Sequence, residues 1–295
     1  MYAVTSPSKP AAETAPVCGM HGRVELSFSA GDNGPGRHQG RLKDLYQTSP
    51  FRVLFPTLPA EELTSAVLVT TSGGLVGGDR LDVGVTVDPG AAVQVMGQAA
   101  EKVYRSLGAD THFDATLTVG AGGYLEWLPQ ETIVFDQSRL RRTTRVDVAE
   151  DGEFCGAEML VFGRTAMGEQ VKTGLIRDVW DVRQDGKRVW ADALHLDGDI
   201  AAQLDHPAGF DGALAAATFV HVSGQASQRL ELAREVLGED RDELRTGATV
   251  VNDILVVRWL AKDAQQMRAA FGEFWAAFRA QTQNLPGKMP RLWHV

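Results

Sequence analysis

The sequence predicts a mainly β protein, with many short strands in stacked or solenoid-like sheets and a few helices near the C-terminal end. Three observations predict it. Apolar and polar residues alternate in several short runs, which is the period of a half-buried strand. Glycine is abundant, 31 of 295 residues, and it falls between those runs, where turns are needed. Helical spacing is confined to the last third of the chain.

Taken in order, Leu81, Val83, Val85 and Val87 alternate with Asp82, Gly84, Thr86 and Asp88, and Asp88-Pro89-Gly90 then turns the chain. Phe113, Ala115, Leu117 and Val119 repeat the alternation before a turn at Gly120-Ala121-Gly122-Gly123. Asp151-Gly152 and Asp185-Gly186 each separate two strand-like runs, so two short hairpins are expected. Gln225 to Leu237 places Ala226, Leu230, Ala233 and Leu237 on one helical face, with Gly238 as C-terminal cap. Val250 to Leu260 is apolar and rich in β-branched residues, which predicts one buried strand. Asp263 followed by Gln266 reads as the start of a capped helix. Met267, Ala270, Phe271, Phe274, Trp275 and Phe278 lie at helical spacing within it, and Pro286 and Pro290 end it. No repeat of fixed length and no internal linker is visible. Residues 21–295 therefore read as one domain behind a loose tail over residues 1–20.

Composition narrows the function classes. Asp and Glu number 38 against 29 Lys and Arg, a net charge of −9. That disfavours binding to a phosphate backbone. The two cysteines, Cys18 and Cys155, are far apart, form no disulfide framework or zinc signature, and fit a cytoplasmic protein. No apolar run is long enough to span a bilayer. The seven histidines form neither H-x-x-x-H nor H-E-x-x-H, and no G-x-S-x-G is present. No catalytic set emerges, and a non-enzymatic binding or assembly protein is expected.

Several polar segments nonetheless stand out. Gly73-Gly74-Leu75-Val76-Gly77-Gly78-Asp79 is the densest glycine cluster. It lacks the Lys-Ser/Thr and following helix of a phosphate loop, so it reads as a tight turn or a close-approach surface. Gln98-Ala99-Ala100 with Lys102-Val103-Tyr104-Arg105-Ser106 mixes cations with an aromatic hydroxyl. Leu125-Glu126-Trp127-Leu128-Pro129-Gln130-Glu131-Thr132 sets Glu126 and Glu131 in apolar company. Those carboxylates need partners if buried, with Arg139, Arg141, Arg142 or Arg145 in view. A glycosidase-like acid pair is the alternative. Glu158 and Phe162-Gly163-Arg164 with Ala166-Met167-Gly168-Glu169 form a further polar group.

In this order and spacing, and with the terminal Pro290-Arg291-Leu292-Trp293, these segments resemble the UreD (UreH) family of urease accessory proteins across residues 21–295. One departure is Met96-Gly97, where the family carries a Thr pair. The resemblance implies a β-rich protein without catalysis of its own. It implies partners: UreF, the GTPase UreG reached through UreF, and the subunits of apo-urease. It implies delivery of Ni²⁺ to the urease active site, with no tightly bound cofactor.

A delivery route needs ligands that release the metal, and carboxylates, carbonyls and water suit that better than a His/Cys cage. Asp79, Glu126, Glu131, Glu158 and Glu169 are the expected lining of such a nickel route, with Lys102, Arg105 and Arg164 as counter-charges. Gly73, Gly74, Gly77, Gly78, Gln98, Tyr104 and Gln130 are expected to shape the motif loops. Phe271, Phe274, Trp275, Phe278 and Trp293 offer an aromatic face for a partner if exposed, and core packing if buried. Two other functions are weighed: a scaffold that holds UreF on urease without touching nickel, and a β-rich carbohydrate-active enzyme.

Overall fold

A computed structural model describes residues 19–31, 38–164, 167–239 and 241–294. The tail expected at residues 1–20 lies outside them, apart from Gly19 and Met20. Seventeen strands are present: β1 His21–Ala30, β2 His38–Gln47, β3 Phe51–Leu54, β4 Thr64–Thr70, β5 Arg80–Val87, β6 Ala91–Gly97, β7 Glu101–Val103, β8 Thr111–Val119, β9 Tyr124–Leu128, β10 Thr132–Val134, β11 Arg139–Val148, β12 Glu153–Phe162, β13 Thr173–Gln184, β14 Lys187–Asp199, β15 Ala215–Val222, β16 Leu244–Val251 and β17 Ile254–Ala261. The helices are α1 Ile200–Asp205, α2 Leu230–Leu237 and α3 Ala264–Gln283.

The chain winds as a coil. One wall runs β2-β1-β5-β8-β11-β13-β14, with a parallel centre from β1 to β13. The second runs β3-β4-β6-β9-β12-β15-β17-β16, parallel from β4 to β12. A short third wall stacks β7, β10 and the end of β12 in parallel. Along it Leu75, Val103, Val134 and Phe162 form one buried ladder. The corners stack too: Gly90 N–H donates to Ala121 O at 2.9 Å, and Glu153 N–H to Gly123 O at 2.9 Å.

The alternating runs behave as expected. Leu81, Val83, Val85 and Val87 on β5, and Ala115, Leu117 and Val119 on β8, all point into the core. Asp185-Gly186 closes the β13–β14 hairpin with both residues at positive φ, 49° and 72°.

Two expectations are corrected. Asp151-Gly152 makes no hairpin, because β11 and β12 lie in different walls. The turn is a corner of the coil, with Gly152 N–H bonded to Ala149 O at 2.9 Å. The run Val250 to Leu260 is not one strand. Asn252 and Asp253, at φ 48° and 61°, fold it into the β16–β17 hairpin. The coil is also an internal repeat, with Leu81, Phe113, Arg142 and Asp178 side by side on successive rungs.

α2 and α3 cover the second wall, and α1 packs against β13 and β14 of the first. Ala226–Arg229 is a 3₁₀ turn leading into α2, and Gly238 N–H closes α2 on Arg234 O at 3.1 Å. Asp263 caps α3 by accepting from Gln265 N–H and Gln266 N–H at 2.7 and 2.9 Å. Phe271, Phe274, Trp275 and Phe278 are buried, packed on Phe219 of β15 and Trp259 of β17 at ring separations of 5.2–5.6 Å. Trp293 is buried against Phe271 at 5.5 Å. These five aromatic residues are core, and the partner face expected of them is corrected. The apolar stripe of α3 is satisfied within the chain itself. No helix among the described residues is long and apolar enough to cross a membrane.

Candidate functional site

The motif segments lie far apart in sequence, but successive rungs bring three of them to one cavity of about 240 Å³. Gly73 and Gly74 come from the loop before β5, and Gln98 to Lys102 from the corner after β6. Trp127 comes from β9, and Pro129 and Gln130 from the corner after it, one rung on. Phe113, Leu140 and Arg142 close it from the first wall, and Glu158 from the second. Gly73, Gln98, Ala99 and Lys102 are exposed, so the cavity opens at the Gln98 corner.

The glycines permit this approach. A Cβ on Gly74, whose φ is 137°, would lie 2.4 Å from Tyr104 Cε2, and one on Gly77 would lie 2.1 Å from Ser106 Oγ. Tyr104 OH donates to Gly73 O at 3.0 Å, and its ring meets Phe135 edge-on at 4.7 Å. Gln130 Nε2 donates to Gly97 O at 3.4 Å and Leu292 O at 3.3 Å. Gly97, at the departure from the family Thr pair, lines the cavity, and a Cβ there would lie 3.0 Å from Gln130 N.

A buried polar cluster forms the inner wall. Arg142 donates to Asp178 from Nε at 2.9 Å and from Nη2 at 2.6 Å, and from Nη1 to Thr132 Oγ1 at 3.0 Å. Glu158 Oε2 lies 2.7 Å from Arg142 Nε but off the N–H direction, and it accepts no hydrogen bond. Thr144 donates to Glu158 Oε1. Burial pushes the Glu158 carboxyl well above its usual range, and the neighbouring Asp178 carboxylate pushes the same way against the pull of Arg142. Asp178 already occupies the guanidinium in two places, so a charge on Glu158 is the less well compensated of the two. Glu101, also on the lining, is raised by burial against opposing bonds from Thr70 and Lys102 N. Ser72 Oγ and Trp127 Nε1 are buried without a hydrogen-bond partner among the described residues, and both residues line the cavity.

Of the five carboxylates expected along a metal route, only Glu158 is on the lining. Asp79 is buried and ties the glycine loop to the chain start, accepting from Val76 N–H and Met20 N–H at 2.8 Å each. Glu126 is buried beneath α3, bonded to Gln94 at 2.6 Å, Tyr124 at 3.0 Å and Arg279 at 3.0 Å. Glu131 pairs with Arg268, whose guanidinium stacks 4.2 Å above Trp293. Glu169 pairs with Arg164 at 2.7 Å, and Arg164 stacks 4.7 Å over Phe135. Asp79, Glu126, Glu131 and Glu169 are thus each engaged by donors away from the cavity lining, two backbone N–H groups for Asp79 and an arginine for each glutamate. The partners of Glu126 and Glu131 come from α3 and not from the Arg139–Arg145 run. Lys102 and Arg105 make no ion pair among the described residues, which corrects their reading as counter-charges. No cluster of three metal-ligating side chains occurs among the described residues. Glu101 was missed, although its place beside Lys102 at the end of the Gln98-Ala99-Ala100 corner was a usable signal.

The chain matches known proteins over nearly all of its length. The family model described as "UreD urease accessory protein" covers residues 20–294. The chain is 47% identical over 287 residues to a urease accessory protein UreD of Magnetococcus marinus, covering 96% of this chain and 97% of that one. It is 42% identical over 255 residues to a urease accessory protein UreD 3 of Methylorubrum extorquens, covering 86% and 84%. With the β-coil and the converging motif loops, these matches place the chain in the UreD family of urease accessory proteins, with a role in urease maturation.

Proposed function

We propose that this chain matures urease within a complex that includes UreF, and UreG through UreF, assembled on apo-urease, and that its cavity passes Ni²⁺ toward the urease active site. The observation that supports this most is the convergence of three motif segments on one cavity walled by the carboxyls of Glu101 and Glu158. One water needs about 10–15 Å³ of such space, so the cavity accommodates a small ion with several waters. Carboxyl, amide and hydroxyl oxygens of Glu101, Glu158, Gln98, Gln130 and Thr132 are ligands of modest strength for a divalent metal. Burial raises both carboxyls toward the protonated form, and metal binding competes with that proton, which weakens the Glu101 and Glu158 stations further. Weak stations suit a protein that must give its cargo away. The proposed compartment is the cytoplasm, in keeping with the buried thiol of Cys155, which is in no disulfide among the described residues.

The test is reconstituted, nickel-dependent activation of apo-urease with UreF, UreG and GTP. Glu101→Gln removes one carboxyl, and Ala99→Trp narrows the mouth; both sites are at least partly exposed, so neither change disturbs the core. The conduit reading expects several-fold less activation with the complex still assembled. Full activation by both variants would leave the scaffold reading in its place.

A further inference from the structure

We propose that the corner of the coil around Arg105 and Leu107 is the surface that docks on apo-urease, and that it takes an acidic patch with an apolar centre. This inference rests on the maturation role proposed above and adds to it where urease sits. Leu107 is 97% exposed and Val76 47% exposed, and they lie on neighbouring loops, since a Cβ on Gly77 would touch Ser106 Oγ. A large apolar side chain left almost wholly in water, beside a second one, is the mark of a contact surface.

The loops beneath them are fixed. Leu75 N–H donates to Lys102 O at 2.7 Å and Tyr104 N–H to Leu75 O at 2.8 Å. Gly78 N–H donates to Asp110 O at 3.0 Å, and Ser106 N–H to Gln137 O at 2.9 Å. Such a platform presents its side chains at little ordering cost on binding.

The charge of the corner identifies the partner's chemistry. The chain carries a net −9, yet Lys102, Arg105 and Lys172 are exposed here and make no ion pair among the described residues. The acids nearby are engaged: Asp110 by Arg139 and Arg141, Glu169 by Arg164, and Asp136 by the N–H groups of Lys172 and Thr173. Among the described residues, the corner thus offers cations outside any ion pair around an apolar centre, with Glu101 acting on Lys102 only at longer range. An acidic partner surface complements it, and like-charged surfaces are repelled. Lys102 also lines the cavity, so this surface borders the cavity's mouth. Urease is the recipient in the proposed maturation step, which makes apo-urease the partner placed here.

The experiment measures binding of the full-length chain to purified apo-urease at low and at physiological salt. Its variants are Arg105→Glu and Leu107→Asp, neither of which lines the cavity. Their exposure leaves the fold intact, which a thermal melt verifies. Each variant is expected to bind at least about tenfold more weakly. The Arg105→Glu loss is expected to shrink as salt rises, and the Leu107→Asp loss to persist. Unchanged affinity in both variants, with wild type binding well, overturns the surface and leaves the maturation role standing. The same holds if the variants lose UreF but keep apo-urease. A wild-type chain with no affinity for apo-urease overturns both.

Discussion

Arg279 on α3 donates its Nε–H to Glu126 Oε1 on β9 at 3.0 Å, and both side chains are buried. The same guanidinium reaches Glu62 at 3.1 Å and Pro286 O at 3.1 Å, so one residue ties the C-terminal helix to the coil and to the chain beyond the helix. Replacing it by Met leaves Glu126 buried with only its Gln94 and Tyr124 donors. Arg279→Met is expected to cost about 3–5 kcal/mol and lower Tm by roughly 10 °C. The double change Arg279→Met with Glu126→Met is expected to recover part of the loss, because an uncompensated charge no longer remains. Thermal melts of the three proteins decide it, and a double variant as unstable as the single one would count against the ion pair as the cause.

Glu158 makes stability depend on pH in the direction opposite to an ordinary ion-paired acid. Burial holds its folded-state carboxyl above the ordinary value of 4.5. Between that value and the raised one, the folded chain keeps a proton that the unfolded chain has released. Stability attributable to this group therefore falls as pH rises through that window. Glu158→Gln keeps an oxygen for Thr144 and has nothing to titrate. Urea unfolding at pH 5 and pH 8 is expected to show the variant gaining on wild type at the higher pH. Equal differences at the two pH values would remove Glu158 as the source.

The outline of this fold was legible because β5 and β8 alternate strictly and α3 carries a single apolar stripe. The coil was not, and the two Asp-Gly turns show why. Asp151-Gly152 and Asp185-Gly186 present the same local signal, yet only the second closes a hairpin. The difference lies in the strand that follows. β14 is largely exposed, whereas β12 is buried along almost its whole length, held between β9 and β15. A strand buried on both faces in this way belongs in the middle of a sheet, away from its immediate predecessor. Rungs of unequal length hid the repeat. At the site, the glycine loop and the Gln98 corner were readable as segments. Their meeting with Glu158 and Arg142 depends on rung register, which no single segment encodes.

Two adjacent glycines should respond oppositely to the same change. A Cβ on Gly73 would meet nothing within 4 Å, and Gly73→Ala is expected to stay within about 0.5 kcal/mol of wild type. Gly74 has φ 137°, and a Cβ there would also lie 2.9 Å from Lys102 O. Gly74→Ala is expected to cost about 1–3 kcal/mol, through strain and through displacement of Tyr104. Hydrogen exchange at Leu75 and Tyr104, whose amides zip the two loops, should rise in Gly74→Ala alone.

Trp127 separates packing from polar chemistry at the cavity. Its ring is buried, while Nε1 has no hydrogen-bond partner among the described residues. Trp127→Phe keeps most of the apolar contact and removes an N–H whose desolvation the protein does not offset. Its stability is expected within about 1 kcal/mol of wild type, whereas Trp127→Ala is expected to lose about 3–5 kcal/mol. Urease activation by Trp127→Phe then reads the N–H alone. If that group holds a water in the nickel route, activation falls while the melting curve stays in place. If both stay in place, the indole serves the core and the polar stations of the route are Glu101 and Glu158, whose Gln variants carry the whole effect.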